Sequence, residues 1–439
     1  MSRALRNFLL SIREMLVSAG PVALLGAGLL VLAYWWLNPN PPKRVTLATG
    51  PAQSAYEAFG KRYAQALALE GIHVNLLPSE GSSDNLQLLR AGKADLGFVQ
   101  GGSGQAAAAE GATLSSLGSL FVEPIWLFYR AESARKTQPN ATFSTLTQLK
   151  GMRVNVGTPG SGVPSLMDKL LEVNRIEPKT IWLTQMEQTP ATVAFLNGEL
   201  DALVFASAPE SLMVQMLLQT PGIRLMDFPQ SEAYSRRFAF LTPVVLPRGV
   251  VDLAANLPAQ DMRLVASTTT LLSRDSTHPA LLQLFSQAAA HLHGGAGWFN
   301  RAREFPKIGQ NEFELAAEAE RNMRSGVPLL QRYLPFWMAN LVERMWLALG
   351  IILAMLLPLS RIVPPLYAFR IRSRVFRWYG QLRDVEDRAK SSANRSELIE
   401  ELDELEDRVS HITVPLSYAD ELYALRSHID ALRQKLQSG

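Results

Sequence analysis

The run "RVNVGTPGSGVPSLMDKLL" at 153–171 sets a short apolar strand, a glycine-rich turn and a helix start in succession. Loops that bind nucleotides, expose nucleophiles or hold anions share that order. The spacing of Gly157 and Gly162 fits a phosphate loop, but Val163-Pro164 stands where a Lys-Ser/Thr pair must hold phosphate and Mg²⁺. A nucleophile elbow needs G-x-S-x-G, and the positions outside Ser161 are Pro159 and Val163. Two readings stay open: a loop whose backbone N–H groups hold a carboxylate at the positive start of a helix, or a tight strand-to-helix turn with no ligand.

The other residues that could do chemistry form no catalytic set. The chain has no cysteine, which removes disulfides, thiolate metal sites and cysteine nucleophiles. Its six histidines are His73, His278, His291, His293, His411 and His428, and none stands in a metal or catalytic pattern. His291 and His293 are two apart on a helix, point to different faces and read as surface or helix-end residues. Glu123, next to Pro124, reads as a strand-edge or hinge residue for want of a visible partner. No enzyme activity, catalytic residue, metal or cofactor is therefore expected.

The 439 residues, 47% hydrophobic and 19% charged, suffice for two or three domains. The net charge of +3 gathers beside apolar segments rather than in one patch, which argues against nucleic-acid binding. No charged residue occurs from Met15 to Leu37, a length that spans a bilayer and ends in the interfacial aromatics Tyr34-Trp35-Trp36. "NPNPPK" after it lacks a small-x-small cleavage site, so 15–37 reads as a retained anchor behind a cytoplasmic N-terminus, 1–14. A second span is expected at 336–360, followed by Arg361, Arg370, Arg372, Arg374 and Arg377, which return the chain to the cytoplasm. Both termini are then cytoplasmic and the intervening domain lies outside.

Between the spans, apolar strand-like runs alternate with helical patterns, the signature of α/β architecture with mostly parallel sheets. "LLRAGKADLGFVQGG" from Leu88 and "AFLNGELDALVFASA" from Ala194 repeat a helix end, a glycine stop, an Asp and a buried strand, which predicts two similar lobes. In such sheets ligands sit beyond the strand carboxyl ends. The segments there are rich in small and hydroxylated residues, with Ser54, Ser82 or Ser83, Ser161 and Ser207 as helix caps or ligand donors.

These residues resemble the TAXI solute receptors of TRAP-type transporters, within the type II periplasmic binding-protein superfamily. The resemblance runs from about Arg44 to Gly295 through "LATG", "EGSSDNLQLLRAGKADLGFVQ", "EPIWLFYR", "LKGMRVNVGTPGSGV" and "LNGELDALVFASAPES". It implies two α/β lobes around a hinged cleft that closes on a small organic acid, an amino-acid-like or dicarboxylate-like, carboxylate-bearing solute, with a transporter membrane subunit as partner. It places Gly50 and Tyr56 at the first ligand loop, Ser82 and Asn85 at the second, Gln100 after the third strand, and Gly160, Ser161 and Gly162 in the glycine-rich turn, whose backbone N–H groups from Gly157 onward are the expected ligand donors. The first loop departs from the family with "PAQSAYEAF", and Glu80 replaces a small residue. A carboxylate there would repel an anion, so either Glu80 points away or the solute is not a simple anion.

The expected organisation is a solute-binding domain at 44–295, its second lobe at about 127–239, a helical stalk at 296–335, the span, and a basic segment with a helical hairpin at 361–439. "FPQSEAYSRRFAFL" from Phe228 and the returning "LTPVVLPRG" read as a crossover between lobes. In the tail Leu398, Leu402, Leu405 and Val409, then Leu422, Leu425, Ile429, Leu432 and Leu436, recur at helical spacing in a hairpin or short coiled coil. The expected function is a receptor anchored in a bacterial inner membrane with its binding domain periplasmic. The alternative is a transmembrane sensor or scaffold signalling through the tail. Pro328, Pro335 and Pro364-Pro365 interrupt the path to the tail, which favours anchoring over switching.

Overall fold

The computed structural model describes residues 20, 22–103, 113–136, 142–209, 211–308, 313–390, 394–411 and 419–438. It divides into one unit of residues 40–340 and another of residues 1–39 with 341–439. Helix α1 is Val22–Leu37; the first part of the expected anchor, 15–19 and residue 21, lies outside the described residues.

The 40–340 unit begins β1 (Arg44–Ala48), α2 (Ala55–Ala68), β2 (His73–Leu77), α3 (Ser82–Arg90), β3 (Leu96–Gln100). The long β4 (Leu114–Arg130) and short α4 (Ala131–Arg135) lead to β5 (Arg153–Asn155), α5 (Val163–Val173), β6 (Trp182–Thr184), α6 (Gln188–Asn197) and β7 (Ala202–Ala206). Then come α7 (Leu212–Gln219), β8 (Ile223–Leu225), α8 (Ser231–Arg237), β9 (Leu241–Leu246), β10 (Met262–Arg274), α9 (Pro279–His293) and α10 (Ala317–Ser325).

The sheet runs β2-β1-β3-β10-β4-β7-β5-β6, with β8 on β4 and β9 on β10. Each end is a parallel trio, β2-β1-β3 and β7-β5-β6. The two internal repeats do the same work in each. Gly92 (φ 69°) ends α3 and Gly198 (φ 85°) ends α6 in the left-handed conformation that favours glycine. The aspartates that follow accept a hydrogen bond from the neighbouring strand, Asp95 from the Thr46 N–H at 2.8 Å and Asp201 from the Arg153 N–H at 3.0 Å.

β4 and β10 join the trios. β10 pairs with β3 from Thr269 to Ser273 and with β9 from Met262 to Ser267, while β4 leaves β10 near Glu123-Pro124 to pair with β7 from Ile125. Both strands are antiparallel to their partners, so the sheet is mixed, with four parallel and five antiparallel pairings, rather than mostly parallel. An apolar run reads alike in either direction when both faces are covered, which is why composition did not distinguish them.

The crossover expected after Phe228 is not one. Phe228, Tyr234, Leu241 and Leu246 belong to the second lobe's core, which extends from Ile125 to Val265, and the crossings are β4 and β10 themselves. The segment read as a stalk also belongs to the domain. Lys307 exchanges backbone hydrogen bonds of 3.0 Å with Ser119, Ala316 donates to Ser116, and Ala316 and Ala319 are buried in the first lobe's core. Small and apolar residues hidden among charged ones made this packing look like a free helix.

Helix α11 (Phe336–Lys390) holds 55 residues, of which 336–363 are long and apolar enough to cross a membrane, the one such helix among the described residues. It runs unbroken through Pro358, Pro364 and Pro365, against the expected interruption. A proline removes one i to i−4 bond, and a helix continues where its other bonds hold the turn. Helices α12 (Arg395–Ser410) and α13 (Ala419–Ser438) bury Leu398, Leu402, Leu405, Val409, Leu425 and Ile429. Leu382 and Val385 of α11 join them, so the tail packs as three helices rather than two. Arg433 ties it together through Asp403 at 2.7 Å, Asp430 at 2.9 Å and Glu406.

Candidate functional site

A cavity of about 300 Å³ is lined by residues of both lobes, with Glu123 of β4 among them. Its first-lobe wall includes Ser54, Tyr56, Ser79, Glu80, Gln100 and Glu123; its second-lobe wall includes Asn155, Gly157, Thr158, Ser161, Glu187 and Ser207.

Glu123 is the most constrained of these. It sits in a strand otherwise apolar from Leu120 to Phe128 and is 3% exposed. Tyr56 donates to its Oε2 at 2.8 Å, and the Thr269 hydroxyl donates to the same oxygen. Tyr56 also meets Ser82 Oγ at 2.9 Å, and Ser82 Oγ accepts from the Gln100 N–H at 3.0 Å. Burial raises the Glu123 carboxyl to about 7, against the lowering effect of the Thr269 and Tyr56 hydrogen bonds. The Tyr56 phenol is pushed well above its ordinary value by burial and then by the Glu123 charge.

The glycine-rich turn faces this group from the other lobe. Gly157 (φ 78°) leaves β5, a single 3-10 turn spans Pro159–Ser161, and Gly162 (φ 85°) precedes α5. Ser161 turns its hydroxyl back onto the Thr158 carbonyl at 2.7 Å. The two lobes touch at glycines: a Cβ on Gly160 would lie 2.5 Å from Glu80 Cβ, and one on Gly81 would lie 2.9 Å from Ser161 Cα. Asn155 orders the neighbouring loop by accepting from the Met186 N–H at 2.8 Å.

Of the twelve residues singled out in the sequence, Ser54, Tyr56, Gln100, Gly157, Ser161 and Ser207 line this cavity. Ser54 also caps α2, accepting from the Glu57 N–H at 3.2 Å. Ser83 and Gly162, with Gln100, line a second cavity of about 250 Å³. Gly50, Ser82, Asn85 and Gly160 line neither. Asn85 is fully buried, and its amide is spent on the fold: it donates to the Thr49 and Phe98 carbonyls at 2.6 and 2.8 Å and accepts from Ser79 at 2.6 Å.

For three residues the structure decides between alternatives that the sequence left open. Glu123 is no strand-edge residue but the buried floor of the cavity; an acid inside an apolar strand was the signal. Glu80 is among the residues lining the cavity, which leaves the second of its two alternatives, a solute that is not a simple anion. His293 is the helix-end residue of its two readings, the last of α9, and not a surface one: it is 7% exposed, with ring centroids 4.5 Å from Phe59, 5.4 Å from Phe121 and 5.8 Å from Tyr63. Burial, then the Arg62 charge, lowers it to about 3.

A family model described as the NMT1-like family matches residues 47–279. No curated protein matches the chain. Among solved structures, the alkanesulfonate-binding protein SsuA of Xanthomonas axonopodis pv. citri aligns at 16% identity and TM-score 0.37 over 57% of this chain and 73% of its own. The periplasmic aliphatic sulphonate binding protein SsuA of Escherichia coli aligns at 16% identity and TM-score 0.35 over 75% and 93%. The CcmR regulatory domain of Synechocystis aligns at 12% identity and TM-score 0.37 over 57% and 98%.

Proposed function

The chain belongs to the NMT1-like family, and from that premise and the geometry of its cleft we propose that it is a solute-binding receptor that captures a small organic acid or amino-acid-like molecule between its lobes. The observation that carries the reading is the cavity walled by both lobes and closed where Gly81 and Gly160 meet the opposite loop. Two strands joining two separately packed cores make a hinge, and a cavity at a hinge binds by closure. The protein binds and hands over its solute without a reaction.

We further propose the finer assignment that the TAXI resemblance implies. The 40–340 unit is periplasmic, both termini are cytoplasmic, 15–37 and α11 anchor the protein in a bacterial inner membrane, and a TRAP-type membrane subunit receives the solute. Native mass spectrometry of the full-length protein released from micelles tests the receptor reading: a retained small molecule is expected. Co-purification with a multi-span transporter subunit tests the partner.

One observation favours a second reading, a transmembrane sensor. The tail packs a core of its own, from Leu382 and Val385 to Leu425 and Ile429. Such an element can receive a ligand-dependent bias, and a receptor that only delivers solute has no need of it.

A further inference from the structure

The charge on the cavity wall narrows what can enter it. Among the described residues, Glu80, Glu123 and Glu187 line the cavity, and no lysine, arginine or histidine does. Glu123 is 97% buried by its 3% exposure, and both hydroxyl donors fall on Oε2. The other oxygen, Oε1, carries no protein hydrogen bond among the described residues, and Glu123 forms part of the cavity wall. A buried carboxylate without a cation is costly, and a simple dicarboxylate brought beside it adds like charge with no side-chain cation to offset the repulsion.

Resting on the receptor reading above, we propose that the solute is held through a positively charged nitrogen that donates a hydrogen bond to Glu123 Oε1, with the more exposed Glu80 and Glu187 drawing the cation into the cleft. The geometry divides the work. Oε2 is fixed by Tyr56 and Thr269, which orients the carboxyl and leaves Oε1 as the acceptor. Glu80 and Glu187 come from opposite lobes, one before α3 and one before α6, so closure brings both toward a cation between them. Burial holds the Glu123 carboxyl near 7, so a cation that pairs with it also draws off its proton; Tyr56, Glu80 and Glu187 are the other ionisable groups on the wall. A carboxylate elsewhere on the same solute has the turn at Gly157 and Thr158 to face, which accommodates an amino-acid-like molecule but makes the nitrogen the selected feature.

The test uses the full-length protein in detergent micelles and a metabolite extract of bacterial and yeast cells. The extract is divided on a strong cation exchanger at pH 2. Every amine is retained there, while carboxylic acids, uncharged at that pH, and other neutral molecules pass through. Each fraction is returned to neutral pH, and thermal unfolding is followed by tryptophan fluorescence. The retained fraction is expected to raise the unfolding temperature, and Glu123→Gln is expected to require at least tenfold more of it for the same rise. A rise from the unretained fraction that equals or exceeds that from the retained one overturns the cationic solute and leaves the receptor reading standing. An undiminished response in folded Glu123→Gln also overturns it. No rise from either fraction overturns both. The comparison of fractions on the unaltered protein does not depend on the variant's folding.

Discussion

Two buried groups of opposite kind make the stability of the 40–340 unit respond to pH in opposite directions. For Glu123, raised from 4.5 to about 7, the folded protein keeps a proton that the unfolded chain has lost. Its contribution is complete below 4.5 and is lost as pH rises through 7, at about 1.4 kcal/mol per pH unit and about 3 kcal/mol in all. For His293, lowered from 6.5 to about 3, the unfolded chain holds the extra proton. That contribution is complete above 6.5 and is lost as pH falls toward 3, by about 5 kcal/mol in all at the same slope. Between 4.5 and 6.5 the two slopes cancel.

Single substitutions therefore expose what the unaltered protein conceals. His293→Phe keeps a ring among Phe59, Tyr63 and Phe121 and removes the imidazole, whose Nε2 is buried without a hydrogen-bond partner. Relative to the unaltered protein, its stability should fall by about 1.4 kcal/mol for each pH unit gained between 4.5 and 6.5. Glu123→Gln should show the mirror image, a relative gain of the same size per unit up to about pH 7. The assay is urea unfolding in a fixed detergent at half-unit steps from pH 4 to 8, each variant plotted as a difference from the parent, so that surface carboxylates common to both drop out. A His293→Phe difference that stays level within about 0.3 kcal/mol per unit over pH 4.5–6.5 would refute the buried neutral imidazole, since a group with a shifted proton affinity cannot avoid this slope.

Asn85→Leu should lower stability by about 2–4 kcal/mol, because it removes the buried hydrogen bonds to the Thr49 and Phe98 carbonyls and the one from the Ser79 hydroxyl; the urea midpoint will show it, with a larger effect on stability than on solute affinity. Gly160→Val sets a side chain where Glu80 lies, 2.5 Å from a Cβ, and should weaken solute binding at least tenfold by calorimetry while leaving the urea midpoint within experimental scatter. Protease added to intact spheroplasts should remove the 40–340 unit and spare an epitope after Gly439; digestion of that epitope sinks the two-span topology. Deleting residues from Ser391 onward should leave solute affinity unchanged if the tail only anchors or assembles. By reciprocity of coupling, a shift of fivefold or more, about 1 kcal/mol, would favour the sensor reading.

What was legible in the sequence was whatever repeats locally. The helix stop, glycine and aspartate of the two βα units were readable at Gly92 and Asp95 and again at Gly198 and Asp201, because each works within a few residues of chain and one neighbouring strand. The tail's leucines were readable for the same reason. Strand direction was not, since β10 meets β3 and β4 from more than a hundred residues away and its apolar pattern is indifferent to polarity. The proline-bearing helix misled in the other direction: proline is a local signal, but whether a helix survives it depends on the remaining bonds along 55 residues.

The site divides along the same line. Serines and glycines at strand ends were visible as a class, but whether each meets the solute or serves the backbone depends on partners distant in sequence. Asn85 is consumed by Thr49, Ser79 and Phe98, whereas Gln100, its side chain tied to Ser267, remains on the cavity wall. Glu123 carried the opposite signal. An ionisable residue inside "LFVEPIWLFYR" has no local use, so its burial calls for partners supplied by the fold. Tyr56 and Thr269 supply two, both on one oxygen, and the other carries no protein hydrogen bond among the described residues. The chemistry of the cleft follows from that remaining acceptor: a wall with three carboxyl groups and no cation among its described residues is selective by what it lacks, and only the arriving molecule can provide the missing charge.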